Sequence, residues 1–174
     1  MKYWVTTDWH LNHENIKKYE YRKDGFEQLI IQRHNEVMSE DDVLINLGDV
    51  IFARNSELST YLSQLKCHKK ILVRGNHDRK TDTWYMGQGF DIVFDSIILK
   101  NCLLSHAPKE LTDDLSFNIH GHFHTGEHRI DDMIWYPFYS ERHILFGLEN
   151  TNYYPVLLNE IMNGKYVKKG KVFR

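Results

Sequence analysis

The chain is poor in the features that mark several large protein classes. It carries two cysteines, Cys67 and Cys102, neither with a Cys-x-x-Cys partner. That excludes a structural zinc knuckle and leaves two reduced, buried thiols as the expectation. No apolar run reaches the length of a membrane span, and the amino terminus opens straight into Lys2-Tyr3-Trp4-Val5-Thr6 without an apolar leader. The expectation is a cytoplasmic protein with no membrane partner. An excess of charge of one sign is also missing: 22 Lys and Arg stand against 24 Asp and Glu, for a formal net charge of -2. This argues against a general coat for polyanions and leaves local basic patches open. Linkers, repeats and low-complexity tracts are absent as well. Residues 1–174 therefore read as a single domain, long enough to bury a core, with an ordinary composition of 41% hydrophobic and 26% charged residues.

What the chain has in quantity is histidine, 11 in all, and the grouping says more than the number. Metal-seeking residues recur in five short clusters: Asp8-Trp9-His10, Gly48-Asp49, Gly75-Asn76-His77-Asp78, Ser105-His106-Ala107 and Gly121-His122-Phe123-His124. Each follows, or lies close to, a β-branched or leucine-rich run. Residues 2–6 read as a strand. A helix capped by Asp24 follows, with Phe26, Leu29, Ile30, Arg33 and Val37 on one face. Val43–Leu47 is a buried strand, and a second helix starts near Asn55 or Ser56 with Leu58, Tyr61, Leu62 and Leu65 inward. Lys70–Arg74 is the next strand. The first half is thus β-α-β-α-β, and open α/β sheets place ligands beyond the carboxyl ends of their strands.

The second half has a different texture. Ile92–Phe94, Ser96–Leu99 and Cys102–Leu104 read as short strands, with a turn at Lys100-Asn101, and Phe117–Ile119 leads into the last histidine cluster. Pro155–Leu158 and Tyr166-Val167 flank Asn163-Gly164, a two-residue hairpin signal. The expectation is a mostly antiparallel sheet that completes a sandwich.

Mixed carboxylate and imidazole ligands suit divalent manganese, iron, cobalt, nickel and zinc. An Asp between two such ions can bridge them at roughly 3.5–4 Å, the spacing used by two-metal phosphate hydrolases. Such a site also needs a proton donor for the leaving alkoxide, and histidine is the usual one.

The ordered set Asp-x-His, Gly-Asp, Gly-Asn-His-Asp, a lone His and Gly-His-x-His resembles the five-motif signature of the calcineurin-like metallophosphoesterases. It runs from Asp8 to His124. The stretch from Asp8 to Ile16, with His13 soon after the first motif, is similar to small bacterial and phage-encoded members, and so is Tyr154–Leu158. The resemblance implies a four-layer α-β-β-α sandwich. It also implies that Asp8, His10 and His124 hold one metal, that Asp49 bridges, and that Asn76, His106 and His122 hold the other. His77 would be the general acid, with Asp78 orienting its imidazole. In members that act on phosphoserine or phosphothreonine the second motif continues Gly-Asp-x-Val-Asp-Arg-Gly. Here Asp49 is followed by Val50-Ile51-Phe52-Ala53-Arg54, which argues against that branch.

Other residues have a bland reading beside the functional one. Ser105 and His106 are neighbours on a strand and point to opposite faces, so they are not a nucleophile and its base. His13 either reaches the substrate or caps a helix, and His120 reads as part of its strand. Arg54, Arg74 and Arg79 could clamp a phosphate or simply be solvated. Trp135, Tyr136, Phe138 and Tyr139 could stack a nucleobase, or pack in the core. Lys165, Lys168, Lys169, Lys171 and Arg174 fit a guarded edge strand equally well.

The resulting expectation is a phosphoesterase with two divalent metal ions, manganese favoured and iron, zinc, nickel or cobalt compatible. It would act on a nucleotide or nucleic-acid phosphodiester by attack of a metal-bridging hydroxide, with His13, Arg54 and Arg79 on the substrate. The rival readings are a phosphomonoesterase of nucleotidase type and a non-catalytic metal-binding scaffold.

Overall fold

The computed structural model describes residues 1–52, 57–125 and 136–165. Strand β1 (Tyr3–Thr6) is followed by a short helix α1 (Ile16–Tyr19), helix α2 (Phe26–Val37), β2 (Val43–Asn46), α3 (Leu58–Leu62), β3 (Lys69–Val73), α4 (Asp82–Gln88) and β4 (Ile92–Phe94). Then come β5 (Ser96–Leu99), β6 (Cys102–Ser105), β7 (Phe117–His120), β8 (His143–Leu145), a 3-10 turn over Glu149–Thr151, β9 (Val156–Leu157) and α5 (Leu158–Met162).

The strands form two mixed sheets, ordered β4-β3-β2-β1-β9 and β5-β6-β7-β8. In the first, β1 to β4 run parallel in a register that sets Val5 beside Ile45 and Ile45 beside Ile71, while β9 is antiparallel to β1. The full burial of β2, Asn46 included, follows from this position, because a central parallel strand is covered on both faces. Side chains alternate between the faces accordingly. Trp4, Leu44 and Leu72 point to α2, α3 and α4, meeting Phe26, Ile30, Ile31, Leu58, Leu62 and Tyr85. Val5, Ile45 and Val73 point the other way, onto Cys102, Leu104, Ile119 and Phe146 of the second sheet, with Leu158 and Ile161 of α5 closing the edge. The result is an α/β sandwich of two mixed sheets flanked by helices. Among the described residues, connecting segments contribute to the far side of the second sheet: Lys109 donates its backbone N–H to the Asn118 side chain, and the Tyr139 ring meets His120 and His143.

Several local expectations need correction. The second sheet is not mostly antiparallel: β5–β6 is antiparallel, but β6–β7 and β7–β8 are parallel. Residues 106–116 make a long return rather than a hairpin, so β7 re-enters in the direction of β6. Strand β4 belongs to the first sheet. It gets there through α4, whose start is capped by the Thr81 side chain accepting from Trp84 N at 3.2 Å and whose end turns at Gly89 with φ 119°. Asn163-Gly164 terminates α5, with Gly164 at φ 67°. The dipeptide that favours a tight hairpin serves equally well as a left-handed helix exit; Tyr166-Val167 lies outside the described residues. Asp24 does not cap α2. Gly25, at φ 76°, occupies that position, and Asp24 pairs with Lys17 at 2.9 Å. The buried face of α2 is Phe26, Ile30, Ile31 and His34, and Val37 is exposed. Asn55 and Ser56 lie outside the described residues.

Because β1, β2 and β3 are parallel to one another and β6 is parallel to β7, the loops after these strands gather at one end of the sandwich. Backbone bonds tie them together: Asp8 N–H to Gly48 O, His10 N–H to Asp49 O and Gly121 N–H to His106 O, each 2.9 Å. Every cluster picked out in the sequence sits on one of these loops.

Candidate dinuclear metal centre

Two groups of ligand atoms converge there. Asp8, His10 and His124 form one, and Asp49, His106 and His122 the other, with the ligand atoms of each group within 4.8 Å of one another. In the first, Asp8 Oδ1 lies 3.8 Å from both His10 Nε2 and His124 Nε2. Asp8 Oδ1 and His10 Nε2 are fully buried and make no hydrogen bond. Buried polar atoms without partners are costly, and these converge on one another. A divalent cation is the group that would satisfy them, so the residues present fit the metal that their chemistry implies.

In the second group the His106 Nδ1–H donates to Leu47 O at 2.8 Å, which turns Nε2 toward Asn76 Oδ1 at 2.9 Å and Asp49 Oδ2 at 3.3 Å. A backbone carbonyl that fixes the tautomer in this way is the usual support of a metal-binding histidine. His122 Nδ1 lies 3.2 Å from His106 Nε2. Asp49 joins the two groups: Oδ2 is 3.3 Å from His106 Nε2 and 3.6 Å from His10 Nε2, while Oδ1 accepts the His77 N–H at 2.8 Å.

The electrostatics follow from burial and crowding. Burial alone would push the Asp8 carboxyl up, but the charges of His124, His10 and His106 hold it well below the usual carboxylate range. Burial opposes charge on His106 too, yet its bond to Asp49 and the charges of Asp8 and Asp49 raise it to about 9. For His10 burial wins, and its imidazole is pushed down.

The backbone is as unusual as the side chains. Asp8, His10, Asp49, His122 and His124 all have left-handed φ, between 47° and 71°, at a cost of about 1–3 kcal/mol each for non-glycine residues. Such a concentration persists only where surrounding contacts enforce it. Part of the enforcement is steric: a Cβ on Gly75 would fall on Asp49 Oδ1, and one on Gly121 would fall on Thr7 Oγ1 and within 2.5 Å of Asp8 Oδ2.

Asp78 is another enforcer, and here the expected role needs correction. Its carboxylate accepts from Asp49 N at 2.7 Å, Gly75 N at 2.8 Å, Val50 N at 3.1 Å and the Tyr85 hydroxyl at 3.4 Å. It clamps the loops after β2 and β3 together instead of orienting the His77 imidazole. Burial raises its pKa, and the amide donors answer that cost. His77 itself stands at the rim, its side chain 34% exposed and Nε2 4.0 Å from Asp49 Oδ2. His13 stacks on Phe52 at 4.0 Å between ring centroids, with its ring 5.4 Å from that of His10. Burial, together with the nearby His10 and His77, pushes its imidazole down to about 4. Arg79 lines a groove beside His77. Arg54 and Trp135 lie outside the described residues. Arg74 is committed to Asp82 and to Lys80 O. Ser105 Oγ donates to Ala107 O at 2.7 Å, and buried His120 contacts Gly121 O and the Tyr139 hydroxyl.

Residues that the motifs do not include complete the site. The Arg22 guanidinium is fully buried and donates to Trp9 O at 2.5 Å, Asp8 O at 2.7 Å and Glu149 Oε1 at 2.5 Å. Burial would raise the Glu149 carboxyl, but the Arg22 charge and His124 hold it at about 2. Glu149 Oε1 lies 3.7 Å from His124 Nδ1, and Glu20 Oε1 lies 4.0 Å from it on another side. Arg22 sits between Tyr21 and Lys23 in a stretch that reads as solvated loop, and nothing local in the sequence marks it.

Comparison with known proteins agrees with this geometry. A calcineurin-like phosphoesterase family model matches residues 1–164. An uncharacterised protein of Methanocaldococcus jannaschii is 31% identical over 183 residues, 99% of this chain and 95% of the relative. A protein of unknown function from Aquifex aeolicus has 27% identity and a TM-score of 0.70, over 93% of this chain and 98% of its own. A nuclease from Pseudomonas putida shares the fold at a TM-score of 0.53 and 23% identity, over 70% of this chain and 61% of its own. The motif order, the ligand clusters at the strand ends and the match over nearly the whole length lead to one conclusion: the chain belongs to the calcineurin-like phosphoesterase family.

Proposed function

We propose that this metal-dependent hydrolase is a phosphodiesterase acting on a nucleotide or nucleic-acid diester, with manganese as its practical activator. The observation that carries the reading is the position of Asp49, whose Oδ2 faces both ligand groups while its Oδ1 holds the His77 backbone. Bound at the two groups, the cations would supply an activated water and draw charge from the phosphoryl oxygens. The chain's own residues do the rest. His77, at the rim, gives its Nε2 proton to the departing oxygen.

The disposition of cations supports a diester. Arg22 is spent on Asp8 O, Trp9 O and Glu149, whereas Arg79 and Lys80 stand beyond His77 in the adjoining groove. A dianionic monoester needs cations around its terminal oxygens, while a monoanionic diester with an organic group on each side does not. No helix among the described residues is long and apolar enough to cross a membrane. Cys67 and Cys102 are free and buried, which supports a reducing, cytoplasmic setting.

The test is a paired rate on manganese-loaded protein with bis(p-nitrophenyl) phosphate and p-nitrophenyl phosphate. The diester is expected to turn over faster. A faster monoester would make the nucleotidase-type reading the better one, and turnover of neither would favour the scaffold. The His77→Ala variant should keep its metal and slow esters with poor, alkoxide-like leaving groups by about 10²–10⁴-fold. Nitrophenyl esters, whose leaving group needs no proton, should slow far less. Equal slowing across leaving groups would rule out His77 as the donor.

A further inference from the structure

The groove beside His77 is lined by Phe52, Trp84, Arg79 and Lys80 over a floor that includes Ile51 and Tyr85, and has a volume of about 350 Å³. That is room for one nucleoside-sized group. We propose that it binds a single-stranded oligonucleotide on the leaving-group side of the scissile phosphate, with a base against Phe52 and Trp84 and the next phosphate on Arg79 and Lys80. The assignment rests on the phosphodiesterase reading and narrows it from diesters in general to a continuing strand.

Three observations carry it. Phe52 is 46% exposed, yet its ring is stacked on His13 at 4.0 Å and lies 5.1 Å from that of His77. The platform is therefore backed by two imidazoles, open to solvent and adjacent to the proton donor, and an aromatic face of this kind is what an unpaired base stacks on. Arg79 and Lys80 are exposed and meet no acidic side chain among the described residues, whereas Arg74 nearby is paired with Asp82. Lys80 Nζ lies 5.8 Å over the Trp84 ring, which joins the cationic and aromatic parts of the groove. A cyclic nucleotide or other small diester would fill the part next to His77 and leave both cations facing water. A strand that runs on past the cleaved bond uses them, and a paired base could not enter to stack.

The experiment measures binding apart from hydrolysis. Fluorescein-labelled pentathymidylate is titrated with metal-free protein in chelator and followed by anisotropy, for the wild type, Phe52→Ala and the double variant Arg79→Gln, Lys80→Gln. The expected result is binding that weakens with salt and falls about tenfold in each variant. The double variant should also lose roughly 0.7 of salt slope for each cation removed. Failure of the wild type to bind, or variants that bind as the wild type does, would overturn the assignment. Turnover of bis(p-nitrophenyl) phosphate by the manganese-loaded wild type is measured in parallel. Turnover without groove-dependent binding would sink the groove assignment and keep the phosphodiesterase. Groove-dependent binding without turnover would keep the nucleic-acid site and sink the phosphodiesterase.

Discussion

Replacing Asp49 by Asn is expected to lower turnover about a thousandfold or more while leaving the fold in place. The change is nearly isosteric, and the amide oxygen of the variant can still accept the His77 N–H that Asp49 Oδ1 accepts at 2.8 Å. What is lost is the charge at Oδ2, 3.3 Å from His106 Nε2 and 3.6 Å from His10 Nε2. An amide nitrogen turned into that position would repel the cation that the carboxylate attracts. A bridging metal pair supplies several kcal/mol of transition-state stabilisation, and about 4 kcal/mol corresponds to the thousandfold loss. Metal analysis and melting separate this account from simple misfolding. Without metal the two proteins should melt within a few degrees of each other. Manganese at a fixed concentration should raise the midpoint of the wild type but barely that of the variant, because the shift grows with the ratio of ligand concentration to dissociation constant and the variant holds the metal more weakly. A variant that binds both metals and turns over normally would show that Asp49 does not bridge.

The prominence of Asp49 was visible in the sequence because local signals agree there. Val43–Leu47 is a buried run, apolar but for Asn46, whose Oδ1 accepts the Gly48 N–H; Gly48 follows it with φ 103°, and the acid comes next. A strand likewise ends just before Asp8, His106 and His122, so the residues of the two converging groups and their order were legible. Interactions that join distant parts of the chain were not. Strand β4 reads as a member of the second sheet because Ile92–Phe94 and Ser96–Leu99 are neighbours in sequence. Its true partner is set by α4, whose short span hides its helical period. Asp78 follows His77 directly and invites a pairing between them, but its carboxylate serves amides from two loops that are separate in the sequence. Asn163-Gly164 is compatible with two opposite outcomes, and the choice depends on Leu158 and Ile161 finding the core between the sheets. Arg22 and Glu149 are the extreme case, 127 residues apart, each unremarkable where it stands.

Removing that distant pair one member at a time is expected to be the most destabilising change outside the hydrophobic cores. Arg22→Met leaves the Glu149 carboxylate, 10% exposed, without its counter-charge, and breaking a buried pair in this way costs about 3–5 kcal/mol. For a chain of this length that is a drop in melting midpoint of roughly 6–20 °C. Glu149 makes this cost checkable by pH. Its carboxyl is held at about 2 against an ordinary 4.5, so the folded state favours the ionised form. The resulting stability, about 3 kcal/mol, is fully present above pH 4.5 and is lost as the pH falls toward 2. A Glu149→Gln variant should lack this component and show a flatter stability profile over that interval. The double variant Arg22→Met, Glu149→Gln should recover part of the loss seen in Arg22→Met, since no buried charge is then stranded. The double variant should nevertheless bind the first metal more weakly than the wild type. Arg22 also holds the carbonyls of Asp8 and Trp9 at 2.7 and 2.5 Å, and with them the left-handed turns that aim Asp8 and His10. Recovered stability together with weakened metal binding would assign Arg22 both tasks. Full recovery of both would reduce it to a charge partner, and a cost in Arg22→Met well under about 1 kcal/mol would show that the pair stabilises nothing.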